Sequence, residues 1–123
     1  MKARAVAKYI KGSPQKARLV IDLIRGRNVN EALAILAATN KRATEPIAMT
    51  LRSAIANAEN KADQLDIAVD VDSLVISKAT VDLGPTKYRR RVRPAPMGRA
   101  YRERRWQSHI TIEVATETEE EEE

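Results

Sequence analysis

The chain contains no cysteine, so neither a disulfide framework nor a thiolate metal site is available to it. That absence fits a reducing cytoplasm. Phenylalanine is absent too, and the aromatics are Tyr9, Tyr88, Tyr101 and Trp106. The core must come from Ile, Leu, Val and Ala, and in 123 residues it is small. Four glycines are too few for a phosphate-cradling or dinucleotide-binding loop. His109 is the single histidine, which leaves any zinc site short of ligands. Ser108 and His109 are adjacent in a strand and point to opposite faces, so they cannot act as a nucleophile–base pair. Asp63, Asp66, Asp70 and Asp72 lack the glycine and terminal glutamate of an EF-hand loop and read as a solvated loop. No apolar run approaches a membrane span, and the N-terminal MKARAVAKYIKG lacks the apolar stretch of a secretory signal. The sequence thus predicts no enzyme, no metal or cofactor, and no membrane partner.

Acid is scarce where it would matter most. Residues 87–105 read KYRRRVRPAPMGRAYRERR, with nine cations (Lys87, Arg89, Arg90, Arg91, Arg93, Arg99, Arg102, Arg104 and Arg105) against Glu103 alone. No globular core can absorb that stretch, because buried guanidinium groups need anions beside them. The segment predicts a polyanionic partner, RNA or DNA. Arginine's dominance over lysine favours forked contacts to phosphate and stacking on bases. Acid collects instead at the C-terminus. Removing the six glutamates at 117 and 119–123 raises the net charge from +5 to +11. Such a run reads as a solvated, unstructured end, or alternatively as a phosphate mimic that shields the basic stretch.

Around this arm the chain reads as one domain. Residues 2–10 alternate as a strand, with Ala3, Ala5, Ala7 and Tyr9 on one side. Ser13 is placed to cap a helix with Pro14 in its first position, and Leu19, Val20, Leu23 and Ile24 follow at helical spacing up to Gly26. A second helix is expected from Asn30 as cap, with Ala32, Leu33, Ile35 and Leu36 as its apolar stripe and a break at Asn40-Lys41. The third and longest is expected from Thr44 as cap, with Pro46 in its first turn. Its Ile47, Leu51, Ile55 and Ala58 share one face, and it frays at 60–63. A kinked extension back to Lys41 is the alternative start. Leu74–Ile76 and Ala79–Val81 read as a strand, and Ile110, Ile112 and Val114 as the buried face of another. Two strands flanking the basic segment suggest one long hairpin. From Gly84 to Ala95 at ~3.3 Å per residue it reaches roughly 40 Å, too long to be stable alone in water. Pro94-Ala95-Pro96-Met97-Gly98 form its tip, where Gly98 permits a positive φ.

Tyr88 and Tyr101, set among arginines, suit stacking on unpaired bases, or packing across the legs of the hairpin. Trp106 reads first as an anchor for the root of the arm, with stacking on a base or arginine plane as the alternative. Lys8, Lys11, Lys16 and Arg18 make a second basic cluster at the start of the first helix, either an anion site or a solvated charged face. His109 is assigned a structural or RNA-contact role.

Ordered segments then resemble a known family. They are Ser13–Val20 with Asp22–Gly26, Glu31–Leu36, Ser53–Glu59, Val81–Pro85, Gly98–Ala100 and Ser108–Thr111. Together they cover nearly the whole chain except the acidic tail, and resemble the large-subunit ribosomal protein 22 family, which lines the peptide tunnel. The resemblance implies an α+β fold of three helices packed on a small antiparallel sheet with a long protruding basic β-hairpin. It implies a rRNA-binding domain over 1–115, including the hairpin at about 83–105, and an acidic tail over 116–123. The implied function is a structural constituent of the large subunit that binds its rRNA, helps its assembly and lines the nascent-polypeptide exit tunnel. The implied rRNA contacts are Lys8, Lys11, Ser13, Lys16, Arg18, Arg25, Lys87, Tyr88, Arg89, Arg90, Arg91, Arg93, Arg99, Tyr101, Arg102, Arg104, Arg105 and His109. The tunnel-facing tip would be Ala95, Pro96, Met97, Gly98 and Arg99. Implied partners are several rRNA domains, large-subunit protein 4 at the constriction and the nascent polypeptide, with no homo-oligomer. The implied location is a cytoplasmic ribosome, with an organellar one left open. The sequence departs from the common bacterial pattern at Ala95, where the family usually has arginine, in a first leg a couple of residues longer, and in the glutamate tail.

Two rivals remain. A DNA architectural protein with proline-tipped arms predicts an obligate dimer and bent duplex. A nuclease or hydrolase lacks a convergent acid, base or metal set.

Overall fold

The computed structural model describes residues 2–85, 90–94, 96–98, 100–104 and 106–116, with 90–94 and 100–104 as backbone. In chain order these form β1 (Lys2–Lys11), α1 (Pro14–Ile24), α2 (Val29–Ala38), α3 (Thr44–Gln64), a 3-10 turn (Val71–Ser73), β2 (Leu74–Leu83), β3 (Arg90–Pro94), a 3-10 turn at Pro96–Gly98, β4 (Ala100–Arg104) and β5 (Gln107–Thr116). Strands β1, β5 and β2 pair antiparallel in that order, while β3 and β4 form a separate two-stranded ladder. The fold is α+β, three helices on a three-stranded antiparallel sheet, as the sequence predicts.

Each strand alternates, and the phase of the alternation decides what is buried. The central strand β5 alternates without interruption and buries Ile110, Ile112 and Val114. Both edge strands lose phase once. The register of β2 shifts between Ile76 and Lys78, so Leu74 and Ile76 face the core first and Ala79 and Val81 afterwards. The register of β1 shifts between Ala7 and Ile10. Ala3 and Ala5 are buried before the shift and Ile10 packs on the core after it. Tyr9 is thereby turned outward, 61% exposed, rather than sharing the face of Ala3 and Ala5. A bulge of this kind adds one residue to one strand and re-aims the side chains beyond it.

The helices bury the opposite side of the same core. On α1 the buried residues are Ala17, Val20, Ile21 and Ile24, whereas Leu19 and Leu23 are 57% and 44% exposed. Of the expected stripe Leu19, Val20, Leu23 and Ile24, Val20 and Ile24 are buried as expected, while Ala17 and Ile21 take the places of Leu19 and Leu23. α1 ends as predicted, with Gly26 in the left-handed conformation (φ 75°) that other residues adopt at a cost. Ser13 flanks α1 but its hydroxyl makes no cap hydrogen bond; its carbonyl accepts from the Ala17 N–H at 3.1 Å. α2 is capped by Asn28 rather than Asn30, the Asn28 side chain accepting from the Asn30 N–H at 2.9 Å. α3 begins at Thr44 with Ala43 flanking it, and the Thr44 hydroxyl donates to the Lys41 carbonyl at 2.7 Å instead of capping. Pro46 does fall in the first turn, where a missing N–H costs nothing. The helix continues through 60–63 to Gln64 because Ala62 is buried.

Both edges of the sheet are covered by helix side chains. Arg18 donates to the Val81 carbonyl from Nε and Nη2 (3.2 and 2.9 Å), and Arg25 Nε donates to the Ala79 carbonyl at 3.0 Å. These two arginines, one on α1 and one just past its C-terminal end, occupy outward carbonyls of β2. At the other edge, Asn57 and Lys61 of α3 donate to the carbonyls of Arg4 and Lys2 (2.9 and 2.7 Å). Unpaired edge carbonyls invite pairing with another chain, and these contacts blunt that tendency.

Candidate nucleic-acid interface

The arm grows out of the sheet between β2 and β5, and its root is tightly fixed. The Gly84 N–H donates to the Gln107 carbonyl at 2.8 Å, and Gln107 Nε2 donates to the Pro85 carbonyl at 2.9 Å. A side chain at Gly84 would place its Cβ 3.1 Å from the Gln107 Cβ and 3.2 Å from the Gln107 carbonyl oxygen, so any other residue would have to push Gln107 back by a few tenths of an ångström. Ser108, 2% exposed, donates from Oγ to the Gly12 carbonyl at 3.0 Å. The Gly12 N–H in turn donates to the Trp106 carbonyl at 3.0 Å. Trp106 itself is 40% exposed. The root is therefore held by Gln107, Ser108 and backbone, the Trp106 carbonyl included.

Beyond the root, β3 and β4 pair antiparallel with Arg90 opposite Arg104, Arg91 opposite Glu103, Val92 opposite Arg102, Arg93 opposite Tyr101 and Pro94 opposite Ala100. The ladder thus reaches Pro94, one residue into the expected tip. Opposed residues share a face of a ladder, so Arg90, Arg102 and Arg104 fall on one face and Arg91 and Arg93 on the other. Between the last β2–β5 pair, Leu83 with Ser108, and the first β3–β4 pair, the leading leg has six residues (84–89) and the returning leg three (105–107). At the tip Met97 and Gly98 take positive φ (63° and 75°), and Met97 is 97% exposed. Lys87, Tyr88, Arg89, Ala95, Arg99 and Arg105 lie outside the described residues, as do Glu117 to Glu123 of the acidic run. β5 runs to Thr116, the first residue assigned to the tail.

The second basic cluster divides by role. Lys8, Lys11 and Lys16 are exposed and make no ion pair or side-chain hydrogen bond with the described residues. Arg18 and Arg25 are committed to β2 carbonyls, and Arg25 also pairs with Asp22 at 2.6 Å. Half-buried Ser13 lines a small cleft of about 160 Å³ with Lys11, Lys16 and Arg42. Arg42 follows Lys41 in the turn before α3, far in sequence from the lysines of β1 and α1, and the packing of α3 on β1 brings it to them. His109 is half-buried, accepts the Tyr9 N–H at Nδ1 (3.1 Å) and meets the Tyr9 ring edge-on at 5.0 Å. Its structural role is explicit. Asp70 and Asp72 are not merely solvated: Asn28 donates to the Asp72 carbonyl (2.6 Å) and Asn30 to its carboxylate (2.9 Å), tying the loop to α2. Among the described residues no helix is long and apolar enough to cross a membrane.

This fold and charge distribution define a small α+β protein with its cations concentrated on an arm and one flank. The sequence model of the family described as Ribosomal protein L22p/L17e matches residues 5–115. A Large ribosomal subunit protein uL22 of Halothermothrix orenii is 53% identical over 119 residues, covering 97% of this chain and 99% of that one. The protein of the same name from Solibacter usitatus is 52% identical, covering 93% and 96%, and one from Desulfitobacterium hafniense is 48% identical, covering 95% and 96%. The chain belongs to the ribosomal protein L22p/L17e family, whose members are structural constituents of the large ribosomal subunit and not enzymes.

Proposed function

We propose that the chain binds large-subunit rRNA through its arm and its basic flank, helps that RNA fold during assembly, and lines the nascent-polypeptide exit tunnel with its tip. The observation that carries this reading is the β3–β4 ladder, whose register puts arginines on both faces. A basic surface on one side suits lying on a duplex; cations on both sides suit insertion between RNA segments. The mechanism is electrostatic: the arm neutralises phosphates where RNA domains converge and would otherwise repel. Residues 1–115 act as one RNA-binding unit, with the arm at about 83–105 and the acidic run from 116 apart from it.

In this reading Lys87, Arg89, Arg90, Arg91, Arg93, Arg99, Arg102, Arg104 and Arg105 bind phosphate, and Tyr88 and Tyr101 stack. Lys8, Lys11 and Lys16 hold a second RNA segment. Ser13, Arg18, Arg25 and His109 shape that flank. Ala95 to Arg99 face the tunnel, beside large-subunit protein 4 and the nascent polypeptide, in a cytoplasmic ribosome. The protein acts as a single copy.

The test is sedimentation of the tagged full chain from cell lysate through a high-salt sucrose gradient. Co-migration with the large subunit is the expected result, since loosely held basic proteins are stripped by salt. A photoreactive residue at Met97 should then cross-link to nascent chains on translating ribosomes. Recovery at the top of the gradient rejects stable membership.

A further inference from the structure

The bulge in β1 builds a feature that the arm does not explain. A groove of about 570 Å³ runs between residues 5–11 of β1 and residues 42–53 at the start of α3. That volume lies within the roughly 300–1,000 Å³ of clefts that take compact ligands. Its apolar walls include Val6, Pro46 and Met49, and Val6 and Met49 are 45% and 60% exposed. Tyr9 also lines it, with its ring largely in solvent. Two contacts fix that residue. Its N–H is bound by His109 Nδ1, and the imidazole meets its ring edge-on with an interplanar angle of 90°. Its backbone lies in the left-handed region (φ 59°), which costs a residue with a Cβ about 1–2 kcal/mol. An aromatic ring held outward at such a cost is a prepared surface, and strained positions gather at sites of function.

The charges around the groove select its occupant. Lys11 and Arg42 line it and Lys8 adjoins Tyr9, all three without an ion pair or side-chain hydrogen bond among the described residues; Glu45 is the acid in the lining. An exposed aromatic face with an apolar wall and flanking cations matches a planar base joined to phosphates. We infer that the β1–α3 groove takes an unpaired nucleobase of RNA, stacked on Tyr9, with Lys11 and Arg42 on the phosphates beside it. This rests on the RNA-binding reading and adds a second recognition point, which senses single-stranded RNA while the arm senses charge.

The probe is a single-stranded RNA octamer carrying one 4-thiouridine, bound to the purified full chain. Irradiation and peptide mass spectrometry should place a cross-link on the segment holding Tyr9. Loss of one stacked base corresponds to roughly a 5- to 150-fold loss of affinity, expected for Tyr9→Ala. Tyr9→Phe keeps the ring and should bind within about twofold of the parent. Met49→Glu puts an anion on the exposed opposite wall and weakens binding even if Tyr9→Ala proves poorly folded. Octamer affinity indifferent to both Tyr9→Ala and Met49→Glu, or cross-links confined to the arm, overturns the groove proposal. Binding of whole large-subunit rRNA, measured in parallel, separates the two claims: its persistence there leaves the arm standing, and its absence removes both.

Discussion

Tyr9 and His109 sit on neighbouring strands and exchange one hydrogen bond, from the Tyr9 N–H to His109 Nδ1 at 3.1 Å. The bond falls where β1 loses register with β5, so a side chain takes a backbone donor that the bulge removes from the ladder. An imidazole accepting at Nδ1 carries its proton on Nε2. His109→Ala leaves that donor without its partner and should destabilise the domain by about 1–2 kcal/mol. Urea unfolding measures the loss, and the nitrogen shifts of His109 should report the Nε2-protonated tautomer. The opposite tautomer would mean that the hydrogen bond is not formed.

Arg18 and Arg25 predict a separation of stability from RNA affinity. Both guanidinium groups donate to carbonyls of the edge strand β2. Arg18→Lys keeps the charge but cannot span the carbonyl with two donors. It should lower stability by about 0.5–1.5 kcal/mol while changing RNA affinity little. An unchanged unfolding midpoint combined with weakened RNA binding would reassign Arg18 to the RNA.

The buried face of α1 is tested by a pair of substitutions. Ile21 is fully buried and Leu19 is 57% exposed. Ile21→Ala should cost about 2–5 kcal/mol, and Leu19→Ala about 0.5 kcal/mol or less. Equal costs would contradict the placement of Ile21 in the core and Leu19 at the surface.

Arg89→Ala, Arg90→Ala and Arg91→Ala together remove three cations from the arm. The triple variant should keep its helical circular dichroism, because Arg90 and Arg91 belong to the β3–β4 ladder, apart from the sheet and helices that form the core, and Arg89 precedes them in sequence. It should bind rRNA more weakly, with the slope of log affinity against log salt reduced in magnitude by about 2 to 3. Lost helicity would make the run part of the folded core.

Much of the fold was legible because alternation and helical spacing are written in the residues themselves. Ile110, Ile112 and Val114 of β5 and Ile47, Leu51 and Ala58 of α3 are all buried at the expected spacing. The misreadings share a cause. Local alternation puts Tyr9 with the alanines because a bulge leaves no mark on it; Tyr9 is fixed by a partner a hundred residues away, His109. Leu19 and Leu23 share helical spacing with Val20 and Ile24, but Ala17 and Ile21 flank the same pair on its other side, and packing on the sheet selects that side. Of the candidate interface, the charge was plain in the sequence and the division of labour was not. Nothing in the chain order shows that Arg18 and Arg25 serve the sheet edge, or that Arg42 joins Lys11 and Lys16.

The central claim is that this protein is held to RNA by phosphate neutralisation along its arm. The most direct measurement is the affinity of the full chain for large-subunit rRNA at several monovalent salt concentrations. With roughly eight phosphate contacts, log affinity should fall against log salt with a slope of about −6 to −7. A slope near zero would contradict the account, since it would mean that the arginines do not meet phosphate.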